Sequence, residues 1–171
     1  KRLLAEAGYP NGFDAGDLYP YPPYFSMGES VANDFAAVGI RTRIVTLERA
    51  AFQKAWLTKA LHGVRVCVHA GYGNAASRLE NCVISSAPYA TGGSPDIDDL
   101  FRQQAQERDR KKREALLHQI QNLMYERVMY GGIFEPATLH GIGPRVEEPG
   151  VGLSPQLYFT SPWEDMRLKK P

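Results

Sequence analysis

The chain has 171 residues, of which 43% are apolar and 23% charged, and its net charge is +1. That length supports one domain with a real core or two small ones, and the composition is that of an ordinary globular protein. The near-neutral charge argues against bulk nucleic-acid binding, and no run of about 18 apolar residues offers a membrane-spanning helix.

The chain opens on Lys1 rather than Met, and Arg2 to Ala7 are strong helix formers stopped by Gly8. So short a helix needs a body to dock on, and the expectation is a piece of a larger protein. Pro10-Asn11-Gly12 makes a turn, and Asp14 to Tyr19 is a strand candidate. Pro20-Tyr21-Pro22-Pro23-Tyr24-Phe25 reads as a loop, because three prolines do not serve a central strand. Ser26 and Glu29 have capping-box spacing, predicting a helix that carries Val31, Phe35 and Val38 inward and stops at Gly39.

Ile40 to Leu47 alternates as a strand, and Glu48 to Leu61 has helical spacing with Phe52, Trp56, Leu57 and Leu61 inward. Gly63 stops that helix, and Val64 to His69 alternates again. Strand, helix, strand, helix, strand with crossovers of this length predicts parallel strands joined right-handedly, an α/β layer structure.

Ala70 to Pro95 reads as a loop punctuated by glycines. Ser94 and Pro95 then start a helix to about Glu107, with Ile97, Leu100, Phe101 and Ala105 as its apolar stripe. Asp109 caps a longer helix whose stripe is Leu116, Leu117, Ile120, Leu123, Met124 and Val128, ended by Gly131-Gly132. Ile133–Phe134 and Thr138–Ile142 are short strand candidates, and residues 144–171 read as a wrapping tail rich in Pro and Gly. The basic run Arg108 to Glu114 is interleaved with acids and reads as a solvated helix face.

In open parallel sheets ligands bind outside the carboxyl ends of the strands. Two loops fit, Pro20–Phe25 and Ala70–Arg78, so the candidate ligand-binding residues are Tyr72, Asn74 and Arg78, joined by Tyr24 and Tyr89. Gly71-Tyr72-Gly73 follows the wrong strand for a dinucleotide fingerprint, and no acid stands where a ribose would need one. His69 ends a strand with no carboxylate in sequence reach, and Ser77 lacks a nucleophile elbow. Cys67 and Cys82 have no metal-binding spacing, and Cys67 reads as a buried free thiol. No catalytic set, cofactor or metal is expected.

Leu3 to Phe13, Ala37-Val38-Gly39-Ile40, Leu47 to Phe52, and Arg113 to Leu117 continuing through Ile120-Gln121 together resemble one family. In order and spacing they are similar to the C-terminal lobe of extracellular solute-binding proteins of the peptide/nickel type, family 5, which serve ATP-binding-cassette importers. The resemblance implies a periplasmic-binding-protein type II lobe spanning residues 1–171, a mixed sheet flanked by helices. It also implies a periplasmic or extracellular, non-enzymatic receptor that closes on a small solute with the N-terminal lobe of the same protein. The closed form would deliver the solute to membrane permease subunits, with no nucleic acid and no membrane span of its own. A sensor or adaptor lobe, or a hydrolase domain completed by a missing segment, are the alternatives.

Typical peptide binders carry Gly-Trp-x-Ala-Asp-Tyr after this strand, where the Asp meets the peptide's α-amine. Here the place reads Ala70-Gly71-Tyr72-Gly73-Asn74-Ala75-Ala76, with no acid. A buried ammonium without a partner is costly, so free-amine peptides are not the expected solute. Arg78 and Arg65 suit a carboxylate or another anionic group instead.

Overall fold

The computed structural model describes residues 1–68, 74–135, 139–152 and 162–169. The chain divides into two compact units, Lys1–His69 and Ala70–Pro171.

The first unit follows the alternating pattern. A short helix α1 (Arg2–Glu6) precedes β1 (Phe13–Pro20), α2 (Phe25–Val38), β2 (Ile40–Ile44), α3 (Arg49–Leu57) and β3 (Gly63–Val66). The strands form a parallel sheet in the order β2-β1-β3. β1 takes the centre and pairs Phe13 with Ile40 on one side and Leu18 with Val64 on the other. Its register slips between Asp14 and Asp17, where the Gly16 N–H donates to Asp14 Oδ1 at 2.8 Å. Beyond the slip, Leu18 and Pro20 point to one face and Asp17 and Tyr19 to the other.

That alternation places the helices. Leu18, Pro20 and Val66 are buried on the face that meets α2, where Gly28 lets the helix approach so closely that an added Cβ would stand 2.5 Å from Pro20 Cβ. On the opposite face Asp17 and Tyr19 are joined by Arg43 and Arg65, and Trp56 of α3 lies beneath Arg65. Helices on both faces are what two right-handed crossovers require when the chain moves from β1 out to β2 and then back past β1 to β3. The turn at Asn11-Gly12 and the left-handed Gly39 that ends α2 (φ 98°) touch backbone to backbone, and a Cβ on Gly12 would fall 1.9 Å from the Gly39 carbonyl oxygen.

Three local expectations change here. α2 starts at Phe25, and neither Ser26 nor Glu29 caps it. The Tyr21–Tyr24 turn, closed by Tyr24 N–H donating to the Tyr21 carbonyl at 2.7 Å, brings the chain into helix early and puts Ser26 inside the first turn. β2 ends at Ile44 rather than Leu47, because past Leu18 only Val45 still donates to β1. α3 ends at Leu57 rather than Leu61. Lys59 takes a left-handed φ of 59°, and the Lys59 and Ala60 N–H groups close onto the Trp56 and Ala55 carbonyls.

The second unit is mainly helical: α4 (Ala75–Cys82), α5 (Pro95–Gln106) and α6 (Arg110–Glu126), then a two-stranded antiparallel ribbon of β4 (Val146–Glu148) and β5 (Arg167–Leu168). Its core is Leu79, Cys82, Val83, Ile97 and Ile120, with Leu100, Phe101, Leu117, Leu123 and Met124 against it. The expected loop from 70 to 95 is corrected by α4, where Asn74 accepts the Ser77 N–H at 2.9 Å and Leu79 and Cys82 share the inward face. On α5 the buried position is Gln104, 1% exposed, rather than Ala105, and its Oε1 accepts from Arg113 Nε at 3.1 Å. Asp109 caps α6 as expected, accepting the Lys112 N–H at 2.9 Å. α6 stops at Glu126, ahead of Gly131-Gly132, so Val128 leaves the inward stripe. Ile133–Phe134 and residues 139–142 are not strands, and Thr138 lies outside the described residues.

Candidate functional site

In open parallel sheets ligands bind outside the carboxyl ends of the strands, and here the ends of β1 and β3 lie side by side at that edge. The β1 loop is Tyr21-Pro22-Pro23-Tyr24, with a cis Pro22–Pro23 peptide. Tyr21 N–H donates to the Val66 carbonyl at 2.8 Å, so this loop is tied to the end of β3. β3 ends at Val66, short of the strand expected to His69, and the chain goes on through Cys67 and Val68.

Four aromatic rings converge at this edge. Tyr21 meets Phe52 edge-on at 5.2 Å and Trp56 at 6.3 Å, and Phe52 meets Trp56 at 5.8 Å. Tyr24 stacks on Tyr21 at 6.4 Å and 20° and remains exposed. Phe52 and Trp56 are buried, so they form the floor, and the two tyrosines form the accessible part. The Arg65 guanidinium lies 5.1 Å from the Trp56 ring centre, a cation–π contact that fixes its direction. Burial first, then the Arg65 charge, lowers the Lys59 ammonium pKa. Burial pushes the Cys67 thiol up to about 11, partly offset by Arg65. The ensemble offers aromatic surface and positive charge, suited to an apolar or planar body with an anionic end.

On the β1–β2 side, Asp17 accepts from the Tyr19 hydroxyl at 2.9 Å and from Arg43 Nε at 2.8 Å. The Tyr19 bond first and the Arg43 bond next hold the Asp17 carboxyl below its ordinary pKa, and the same bond raises the Tyr19 phenol. This triad ties β1 to β2.

Of the residues expected from sequence, Tyr24 stands at this edge, stacked on Tyr21. Tyr72 and His69 lie outside the described residues. Asn74, Arg78 and Tyr89 belong to the second unit. Asn74 spends its side-chain oxygen on the α4 cap, Arg78 is half-buried one turn later, and Tyr89 packs against the core with its N–H on the Asn81 carbonyl at 3.1 Å. Sequence reading placed Trp56 only on an inward helix face and passed over Tyr21. The signal for Tyr21 was the Pro-Tyr-Pro-Pro-Tyr run at the end of a strand, whereas Trp56 reaches it only through the tertiary contact. Among the described residues, no three His, Cys, Asp or Glu side chains gather as a metal site.

The α/β fold is that of part of a type II periplasmic binding protein. The OppA protein of Burkholderia pseudomallei superposes with a TM-score of 0.74 at 20% identity, over 99% of this chain and 34% of that one. HbpA2 of Haemophilus parasuis gives 0.69 at 20% identity over the same shares, 99% and 34%. The periplasmic binding protein DppA of Helicobacter pylori, solved with the peptide STSA, gives 0.62 at 24% identity over 75% of this chain and 27% of that one. In sequence, heme-binding protein A of Haemophilus influenzae is 41% identical over 61 residues, 32% of this chain and 11% of that protein. No family model matches the chain. The chain thus spans 11% of that relative and 27% to 34% of the three solved structures.

Proposed function

We propose that this chain is one lobe of a two-lobed, periplasmic solute receptor of an ATP-binding-cassette importer. It works by differential binding: solute held between the lobes stabilises the closed state over the open one, and the closed form docks on the permease. The observation that carries the reading is the overlay of 99% of this chain on 34% of an OppA protein. The neighbours are binding proteins, and the aromatic and cationic edge at the ends of β1 and β3 supports holding a ligand rather than transforming it, so we read the protein as a non-enzyme.

The solute is anionic or bears an anionic end and is not a simple free-amine peptide. Supporting this are the cationic Arg65 beside the aromatic edge, the half-buried Arg78, and the absence of an acid from Ala70 to Ala76. Tyr24, Tyr72, Asn74, Arg78 and Tyr89 remain the ligand-contact residues proposed from the sequence, and the first unit adds Tyr21 and Arg65. The local identity with a heme-binding protein favours one specific probe, heme, whose planar body and carboxylates have the required chemistry.

Native mass spectrometry of the full-length protein purified from its own host tests the reading. The expected result is a non-covalent small molecule that is released unchanged on unfolding. Isothermal titration with heme and with di- and oligopeptides then tests the solute class. Sub-micromolar binding of free-amine peptides overturns the specificity, and chemical turnover of a bound molecule overturns the receptor.

A further inference from the structure

The acids interleaved in the basic run at the start of α6 are spent on other partners. Glu107 accepts the Asp109 N–H at 2.8 Å, Asp109 accepts the Lys112 N–H at 2.9 Å, and Glu114 accepts from Arg110 Nε at 3.0 Å. Arg113 turns to α5, where its Nε donates to Gln104 at 3.1 Å. Arg108, Lys111 and Lys112 remain, all three exposed. Among the described residues, none of these three side chains makes an ion pair or hydrogen bond.

Their spacing of i, i+3 and i+4 sets them on one side of the helix start. Cations there oppose the helix dipole, and the first turn holds no acid to offset them. The three charges therefore do not serve the stability of α6. The face they begin continues through His118 and Asn122 to Tyr125, at i+7, i+11 and i+14 from Lys111, and no acid stands from Ala115 to Tyr125. Tyr125 is 85% exposed. A helix of 17 residues is about 25 Å long, so this face is a straight rod with unpaired cations at one end and a solvent-facing phenol at the other. A protein partner would need acceptors fixed opposite each cation. Long, flexible cations and an amphipathic ring suit a diffuse layer of anions beside an apolar phase.

We propose that this face of α6 docks on anionic phospholipid headgroups, with Arg108, Lys111 and Lys112 against the phosphates and Tyr125 at headgroup depth. This rests on the reading of a receptor that works beside a membrane permease. The contact is peripheral, since among the described residues no helix is long and apolar enough to cross a membrane.

Co-sedimentation of the solute-free, full-length protein with lipid vesicles tests the face. Vesicles of mixed phosphatidylglycerol and phosphatidylcholine are expected to bind it, those of phosphatidylcholine alone are not, and added salt should weaken the binding. The triple change Arg108→Gln, Lys111→Gln and Lys112→Gln should lower affinity for the anionic vesicles on the order of 100-fold, without lowering the melting midpoint. Tyr125→Ala should weaken binding several-fold with the salt dependence unchanged. The matched change Arg2→Gln, Arg41→Gln and Lys54→Gln removes the same charge from exposed positions of the first unit and should leave binding intact. No binding to anionic vesicles, equal binding to phosphatidylcholine, or equal losses in the two triple variants overturns the proposal. Binding to the detergent-solubilised permease that needs Arg108, Lys111 and Lys112, with none to vesicles, assigns the face to an acidic protein surface and also overturns it. No solute enters these assays, so their failure is distinguishable from failure of the capture experiment.

Discussion

Gly28→Ala tests whether the approach of α2 to β1 sets the binding edge. In an exposed helix interior this change stabilises by about 0.5–1 kcal/mol, through the unfolded chain and helix propensity. Here the new methyl would lie 2.5 Å from Pro20 Cβ, 3.1 Å from Pro20 Cγ and 3.5 Å from Leu18 Cδ2. Carbon atoms prefer about 3.5–4.0 Å, so roughly 1 Å must be recovered. Pro20 has no rotamer to turn aside, it is fully buried, and its ring is fixed to the β1 backbone. Either α2 withdraws and loosens Leu18, or Pro20 moves and carries Tyr21 with it. Overpacking of this kind costs about 1–3 kcal/mol, so after the propensity gain a net loss of about 1–2 kcal/mol is expected. For a chain of this size that is a fall of roughly 3–6 °C in melting midpoint. Urea unfolding should show a lower midpoint with an unchanged slope. The fluorescence of Trp56 should shift as well, because Tyr21 packs against it. Gly92→Ala, at a position with no atom within 4 Å of the added carbon, is the control and should be near neutral. A Gly28→Ala protein as stable as the parent, or more so, would refute the close-contact reasoning.

Asn74→Ala removes the α4 cap and should cost about 1 kcal/mol, whereas Asn74→Asp should retain most of it. Urea unfolding followed by far-ultraviolet circular dichroism measures both, and equal losses would show that Asn74 does not act as a cap. The Asp17 carboxyl is held below its ordinary pKa by Tyr19 and then Arg43, so the folded state binds its proton less readily than the unfolded chain. Its contribution is therefore present above the usual carboxylate value of about 4 and disappears as pH falls through the lower folded value. Asp17→Asn should flatten that acid-side slope in a series of unfolding measurements, and an unchanged slope would remove Asp17 as its source. Burial raises both the Cys67 and Cys82 thiols, Cys67 to about 11. Alkylation near pH 8 should accordingly be slow for both in the native protein and fast after unfolding, and rapid native labelling would contradict the burial.

The sequence alone determined the elements whose cause is local. Alternation from Ile40 and from Val64, the helix stop at Gly39, and the Asp109 cap each act within a few residues and each appears, although the two strands end at Ile44 and Val66, short of the expected Leu47 and His69. Two crossovers of helical length also fixed parallel pairing. Caps and strand ends that depend on contacts from elsewhere were less legible. Ser26 lost its cap to a turn formed two residues earlier, and β2 ended where β1 stopped offering partners. The buried place on α5 went to Gln104 because Arg113 of α6 satisfies it, a pairing that composition does not reveal.

Only the tertiary structure decided that β1 stands between β2 and β3. Two parallel crossovers permit other orders, and the choice depends on which faces of the sheet α2 and α3 bury. With that order came the gathering of Tyr21, Tyr24 and Trp56 from separate elements and the stacking of Arg65 on Trp56. Residue types and short-range spacing carry the instructions for helices and strands, because those are closed by hydrogen bonds between near neighbours in the chain. A binding edge is assembled from side chains many residues apart, and its geometry exists only once the sheet has brought their backbones together.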